Sequence, residues 1–65
     1  MKVTINQVPH DLPDGADLAQ ALARLDARPP FATAVNKQFV PSAQHARTPL
    51  REGDAIEVIQ PVTGG

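Results

Sequence analysis

The residues best placed to do chemistry are the last two, Gly64 and Gly65. At about 7% glycine per position, two terminal glycines arise by chance only about 0.5% of the time, so the ending asks for an explanation beyond composition. A terminal carboxylate is a poor electrophile until one of its oxygens joins a good leaving group such as an acyl adenylate. Without side chains, two glycines let a chain end thread a narrow channel and take almost any backbone angle inside another protein's active site. No Gly-x-x-x-x-Gly-Lys-Ser/Thr loop occurs in the sequence, so ATP and its metal would be held by a partner and not by this chain. A terminus that merely frays would carry the same two glycines, and the residues alone leave that alternative open.

Other reactive side chains are scattered. His10 and His45 lack the paired spacing of metal ligands and read as surface or half-buried histidines. Ser42, His45 and Asp54 have the residue types of a hydrolytic triad, but no strand-to-helix nucleophile elbow accompanies them. Glu52, Asp54 and Glu57 cluster about one turn and one strand, where carboxylates usually serve as solvated charge or steer a basic partner.

The elements that must position the tail follow from periodicity. Met1, Val3 and Ile5 alternate with polar residues as a strand does, Asn6-Gln7 reads as a tight turn, and Val8, His10 and Leu12 continue as a second strand. Pro9 cannot donate to a ladder and places that strand at a sheet edge. After the turn Pro13-Asp14-Gly15, Asp17 and Gln20 have the spacing of a capping box. Leu18, Ala21, Leu22 and Leu25 then share one face of a helix that Pro29-Pro30 should stop. Phe31 to Val35, a turn around Asn36-Lys37-Gln38, and Phe39-Val40 read as a second hairpin. Ser42 to Pro49 is polar and reads as irregular. Arg51-Glu52-Gly53-Asp54 is a turn, and Ala55 to Ile59 is the clearest strand in the chain.

Hairpin, helix, short strands and final strand is the order of an α+β domain with one main helix on one face of a mixed sheet of four to five strands. The arrangement favoured is a β-grasp, with the last strand parallel to the first in the sheet centre, which suits its apolar run. Ile56 and Val58 should then meet Leu18, Leu22 and Leu25, while Ala55, Glu57 and Ile59 face the other way. An apolar Ile59 on that outer face is a candidate for partner docking, although neighbouring loops could equally cover it. Residues 1–65 read as a single domain. Its last segment, Val62-Thr63-Gly64-Gly65, is too short and glycine-rich to fold alone and reads as a mobile tail.

Composition narrows the function classes. With 65 residues, the chain holds one domain that buries only roughly 60% of its unfolded surface, leaving little room for an enclosed active site. Six basic against seven acidic residues give a formal net charge of −1, and no basic stripe occurs that could track a phosphate backbone, so nucleic acid is excluded as a partner. Cysteine is absent, which removes disulfides, thiolate metal sites and a cysteine nucleophile. Neither a signal peptide nor a membrane-length apolar segment is present, and the reading is a cytoplasmic protein.

Over its whole length the chain resembles the ThiS family, the ubiquitin-like sulfur carriers of thiamine biosynthesis. The resemblance is carried by a first strand ending in Asn6, Gly15 before the helix, and Val35-Asn36 followed by Val40-Pro41. It continues through Leu50-x-x-Gly53-Asp54-x-Ile56-Glu57-Val58 to the terminal Gly64-Gly65. Ser42 departs from it, standing where the family often has Arg. The resemblance implies that an E1-like adenylyltransferase activates the Gly65 carboxylate with ATP. A cysteine-derived persulfide donor then converts it to a thiocarboxylate, whose sulfur passes to thiazole synthase. Gly64 and Thr63 would thread the partner's active site, Ile59 and Val62 would contribute to docking, and catalysis would belong to the partners. On this reading the chain is a protein co-substrate and not an enzyme, and it binds no cofactor or metal of its own. Two alternatives stand beside it: the small sulfur-carrier subunit of molybdopterin synthase, which Pro61-Val62 would also suit, and a free-standing β-grasp binding module with no use for a free carboxylate.

Overall fold

The computed structural model describes residues 1–25 and 31–60, and within them the expected elements form in the expected order. Strands β1 (Lys2–Ile5) and β2 (Val8–Asp11) are followed by helix α1 (Leu18–Leu25), β3 (Ala32–Val35), β4 (Gln38–Val40), a 3-10 helix (Ser42–Arg47) and β5 (Ala55–Ile59). The five strands make one mixed sheet in the order β2-β1-β5-β3-β4. β5 lies in its centre, parallel to β1 and antiparallel to β3. This is the α+β, ubiquitin-like β-grasp architecture, with five strands.

Local chemistry explains the elements. Asp17 and Gln20 close a reciprocal capping box: the Gln20 N–H donates to Asp17 Oδ1 at 2.9 Å, and the Asp17 N–H donates to Gln20 Oε1 at 3.0 Å. The apolar stripe of α1 enters the core, where Leu18, Ala21 and Leu22 are buried and Leu25 packs against them. Two-residue turns join both hairpins, with φ of 51° and 70° at Asn6-Gln7 and the same values at Asn36-Lys37, as turns that match strand twist require. Gly53 takes a φ of 87° in the turn before β5, a conformation that glycine reaches without steric cost.

The core lies between α1 and one sheet face. Val3 and Ile5 of β1 meet Ile56 and Val58 of β5, with Leu12, Ala16 and Leu50 closing the margins. Pairing tightens the assembly beyond the strands, since the Leu18 N–H donates to the Thr48 carbonyl at 2.9 Å and the Leu50 N–H to the Ala16 carbonyl at 3.0 Å.

One element differs from the sequence reading, and two side chains sit at odds with their polarity. Residues 42–47 are a 3-10 helix and not irregular, because the His45 ring stacks on Phe31, centroids 6.0 Å apart at 12°, and its Nε2 lies 3.3 Å from the Val40 carbonyl. Val8 sits opposite Ile5 on the core side yet is 55% exposed, because β2 is an edge strand. Thr33 is buried in the apolar core opposite Val58. The proposed helix stop at Pro29-Pro30 and the tail lie outside the described residues.

Candidate functional site

β5 builds the site. Its alternation sends Ile56 and Val58 into the core and leaves Ala55, Glu57 and Ile59 on the open face, where Ile59 is 64% exposed. The ladder places Ala32 beside Ile59, Ala34 beside Glu57, and Phe39 beside Ala34. Directly paired residues share a face, so Ile59, Ala32, Ala34 and Phe39 form a continuous apolar area across β5, β3 and β4. Phe39 is 69% exposed. Exposed apolar residues gathered on one face make this a candidate docking surface.

The sequence reading identified Ile59 but not Phe39. The available signal was the two-residue turn, which fixes register and puts Phe39 opposite Ala34. Gly65, Gly64, Thr63 and Val62, the other expected site residues, lie outside the described residues. The described chain reaches Gln60, one residue past β5, so the strand that anchors the core also leads directly toward the glycine pair.

The remaining candidates have structural duties. Asp54 Oδ1 accepts from Asn36 Nδ2 at 3.0 Å and its Oδ2 from the Arg51 N–H at 2.8 Å, which ties the turn before β5 to the β3–β4 hairpin. Glu52 Oε1 accepts from the Lys2 N–H at 2.9 Å. Among the described residues, then, the hydrogen bonds of Asp54 go to Asn36 and Arg51 and that of His45 goes to Val40, and the Ser42–His45–Asp54 relay is not formed. His10 is half-buried on β2, and Glu57 is exposed on the open face. Among the described residues no group of three His, Cys, Asp or Glu could hold a metal ion.

A groove of about 490 Å³ runs over the open face between the two hairpin tips, lined by Thr4, Gln7, Lys37 and Glu57 among others. Gln7, Lys37 and Glu57 are exposed, so the groove is a saddle open to solvent and not an enclosed active site.

One main helix held against a five-stranded mixed sheet, with an apolar open face beside the strand that leads to a glycine pair, defines a ubiquitin-like β-grasp protein. The sequence model of the ThiS family matches residues 3–65, and the chain belongs to that family of small sulfur carriers. The crystal structure of the thiamine biosynthesis protein ThiS from Geobacter metallireducens shares the fold, with a TM-score of 0.80, 20% sequence identity and 100% of each chain covered. No curated protein gives a significant match to the sequence. Among the described residues no helix is long and apolar enough to cross a membrane.

Proposed function

We propose that this protein is the sulfur carrier for thiazole formation in thiamine biosynthesis. The observation that carries the reading is the family match, which runs through residue 65 and so includes the glycine pair. The likeness of fold to a thiamine biosynthesis protein supports the same reading.

The chemistry proposed begins at the Gly65 carboxylate. An E1-like adenylyltransferase, holding ATP and its metal, joins the carboxylate to AMP and releases pyrophosphate. The terminal sulfur of a cysteine-derived persulfide attacks the acyl carbon and AMP departs with the bonding pair. A thiol then cleaves the S–S bond of the resulting acyl disulfide, leaving a thiocarboxylate that donates sulfur to thiazole synthase. This chain contributes no catalytic group. Thr63 and Gly64 pass through the partner's channel, where missing or small side chains matter, and Ile59, on the open face, and Val62 contribute to docking.

Intact-mass measurement of the protein made in its native host tests the proposal. The expected result is a fraction of chains in which one terminal oxygen is replaced by sulfur, lost when the activating enzyme is deleted. Unmodified chains under conditions that demand thiamine synthesis would overturn it. Preferential sulfur transfer to the large subunit of molybdopterin synthase would instead place the chain in the rival carrier class.

A further inference from the structure

Asn6 and Asn36 occupy equivalent places in the two hairpins, each the first central residue of its turn with φ 51°. β1 approaches β5 in parallel and β3 approaches it antiparallel, yet the two asparagines treat the central strand alike. The Asn6 N–H donates to the Ile56 carbonyl at 2.9 Å, and the Asn36 N–H donates to the Ala55 carbonyl at 2.7 Å. A strand continuing straight would next offer its main-chain carbonyl. Both chains have turned at this residue, and the side-chain amide oxygen takes that place: Asn6 Oδ1 accepts from the Val58 N–H at 2.8 Å, and Asn36 Oδ1 accepts from the Ala55 N–H at 3.0 Å. The left-handed turn position and the side-chain acceptor together call for asparagine or aspartate.

The two hold opposite ends of β5. Asn36 grips its first residue. β1's own pairing runs to Ile5–Ile56, and the Asn6 side chain carries the hold on to Val58, one residue before Ile59 and two before Gln60. We infer that Asn6 is a positioning residue for the carrier chemistry: it fixes where β5 hands over to the C-terminal segment, and so where the reactive carboxylate is delivered relative to the docking face. This inference rests on the function proposed above. Without the Asn6 acceptor the Val58 N–H loses its partner on the β1 side, and the end of β5 is then held by β3 alone, through Thr33–Val58 and Ala32–Ile59. A strand end held from one side can shift on its neighbour, and a misplacement of about 1 Å can cost on the order of a hundredfold in rate.

The twin turn provides the control. Asn6→Gly keeps the turn, since glycine accepts positive φ, and removes only the side-chain acceptor. Asn36→Gly makes the same substitution at the far end of β5, where it also removes the Nδ2 donor to Asp54 and is therefore the more disruptive change. Asn6→Asp restores an acceptor. Amide exchange in the free protein and ATP–pyrophosphate exchange with the activating enzyme from the same organism are measured for all three variants, each at the same interval below its own melting temperature. For Asn6→Gly, the Val58 amide should exchange at least about tenfold faster and kcat should fall at least about tenfold with KM within about twofold, the signature of lost positioning and not of lost docking. Asn36→Gly should keep parental Val58 exchange and kcat, and Asn6→Asp should recover both. Equal losses of kcat in Asn6→Gly and Asn36→Gly, a parental kcat in Asn6→Gly, or no recovery in Asn6→Asp would overturn the role of Asn6. A parent chain that supports no pyrophosphate exchange at all would overturn the carrier reading itself, a result distinct from any of these.

Discussion

Thr33 faces Val58 across the β3–β5 ladder, and its hydroxyl oxygen is buried with no hydrogen-bond partner among the described residues. A buried hydroxyl without a bond costs about 1–3 kcal/mol. Valine has the same shape and branching and suits a strand. Thr33→Val should therefore raise stability by about 1 kcal/mol, which in a domain of this size lifts the melting temperature by about 4–8 °C. Urea unfolding should show a higher midpoint at unchanged slope. A lower midpoint would mean that the hydroxyl is bonded in solution, and would sink the idea.

Ile56 pairs with Ile5 on one side and Val35 on the other, at 1% exposure. A carboxylate there has no partner and no water. At roughly 0.05–0.15 kcal/mol per residue, the domain holds roughly 3–10 kcal/mol in reserve, which an unpaired buried charge consumes. Ile56→Asp should be largely unfolded by circular dichroism. A native-like melting transition would contradict the sheet–helix packing.

Ile59 and Phe39 are exposed and apolar on the same face, and neither is needed to fill the core. Surface changes of this kind usually alter stability by no more than about 0.5 kcal/mol, whereas central interface residues commonly cost binding at least about tenfold. Ile59→Lys should weaken the complex with the activating enzyme by at least that factor while leaving the melting temperature close to parental. The same holds for Phe39→Lys. Calorimetric titration giving parental affinity for both variants would remove the open face from the interface.

The glycine pair makes the sharpest demand. One alanine added after Gly65 moves the carboxylate by about 3.5 Å, and Gly64→Ala adds a methyl group where the chain must pass a channel and closes off positive backbone angles. Both changes lie beyond Gln60, the last described residue, and both variants should melt like the parent. Each should fail to support ATP–pyrophosphate exchange and to acquire sulfur. Parental rates in the extended variant would show that activation does not require the chain to end at Gly65.

Much of this architecture is legible in the residues because each cue acts locally. Pro9 lacks an N–H whatever surrounds it, and β2 is indeed an edge. Asp17 and Gln20 meet because helical spacing alone brings them together. The alternation from Ala55 to Ile59 sorts itself onto two faces without reference to any neighbour. What escaped depends on contacts between distant segments. The 3-10 helix at Ser42–Arg47 has no apolar stripe to announce it and is held by His45 against Phe31 and Val40. Phe39 joins the open face through a register that only the folded sheet displays. The duty of Asn6 toward Val58 spans 52 positions and has no local signature. Of the expected site, Ile59 stands on the open face, and the family match reaches the glycine pair.

The sheet order has a kinetic consequence. The β1–β2 and β3–β4 hairpins are each closed by a two-residue turn and can form in about 1–10 μs, but a lone hairpin is marginal in water. In the ladder they do not pair with each other; each joins only β5. The slow event is therefore the arrival of β5 between them, which must bring Ala55 beside Thr4 across about half a hundred residues of chain. Folding should run as one cooperative step whose transition state contains both hairpins and β5, so that mutations in either slow refolding. A chain cut by a protease before β5 would keep two hairpins with nothing to unite them. Loss of the strand that leads to the reactive end and loss of the whole fold are then the same event, and a damaged carrier dismantles itself instead of competing for its partners.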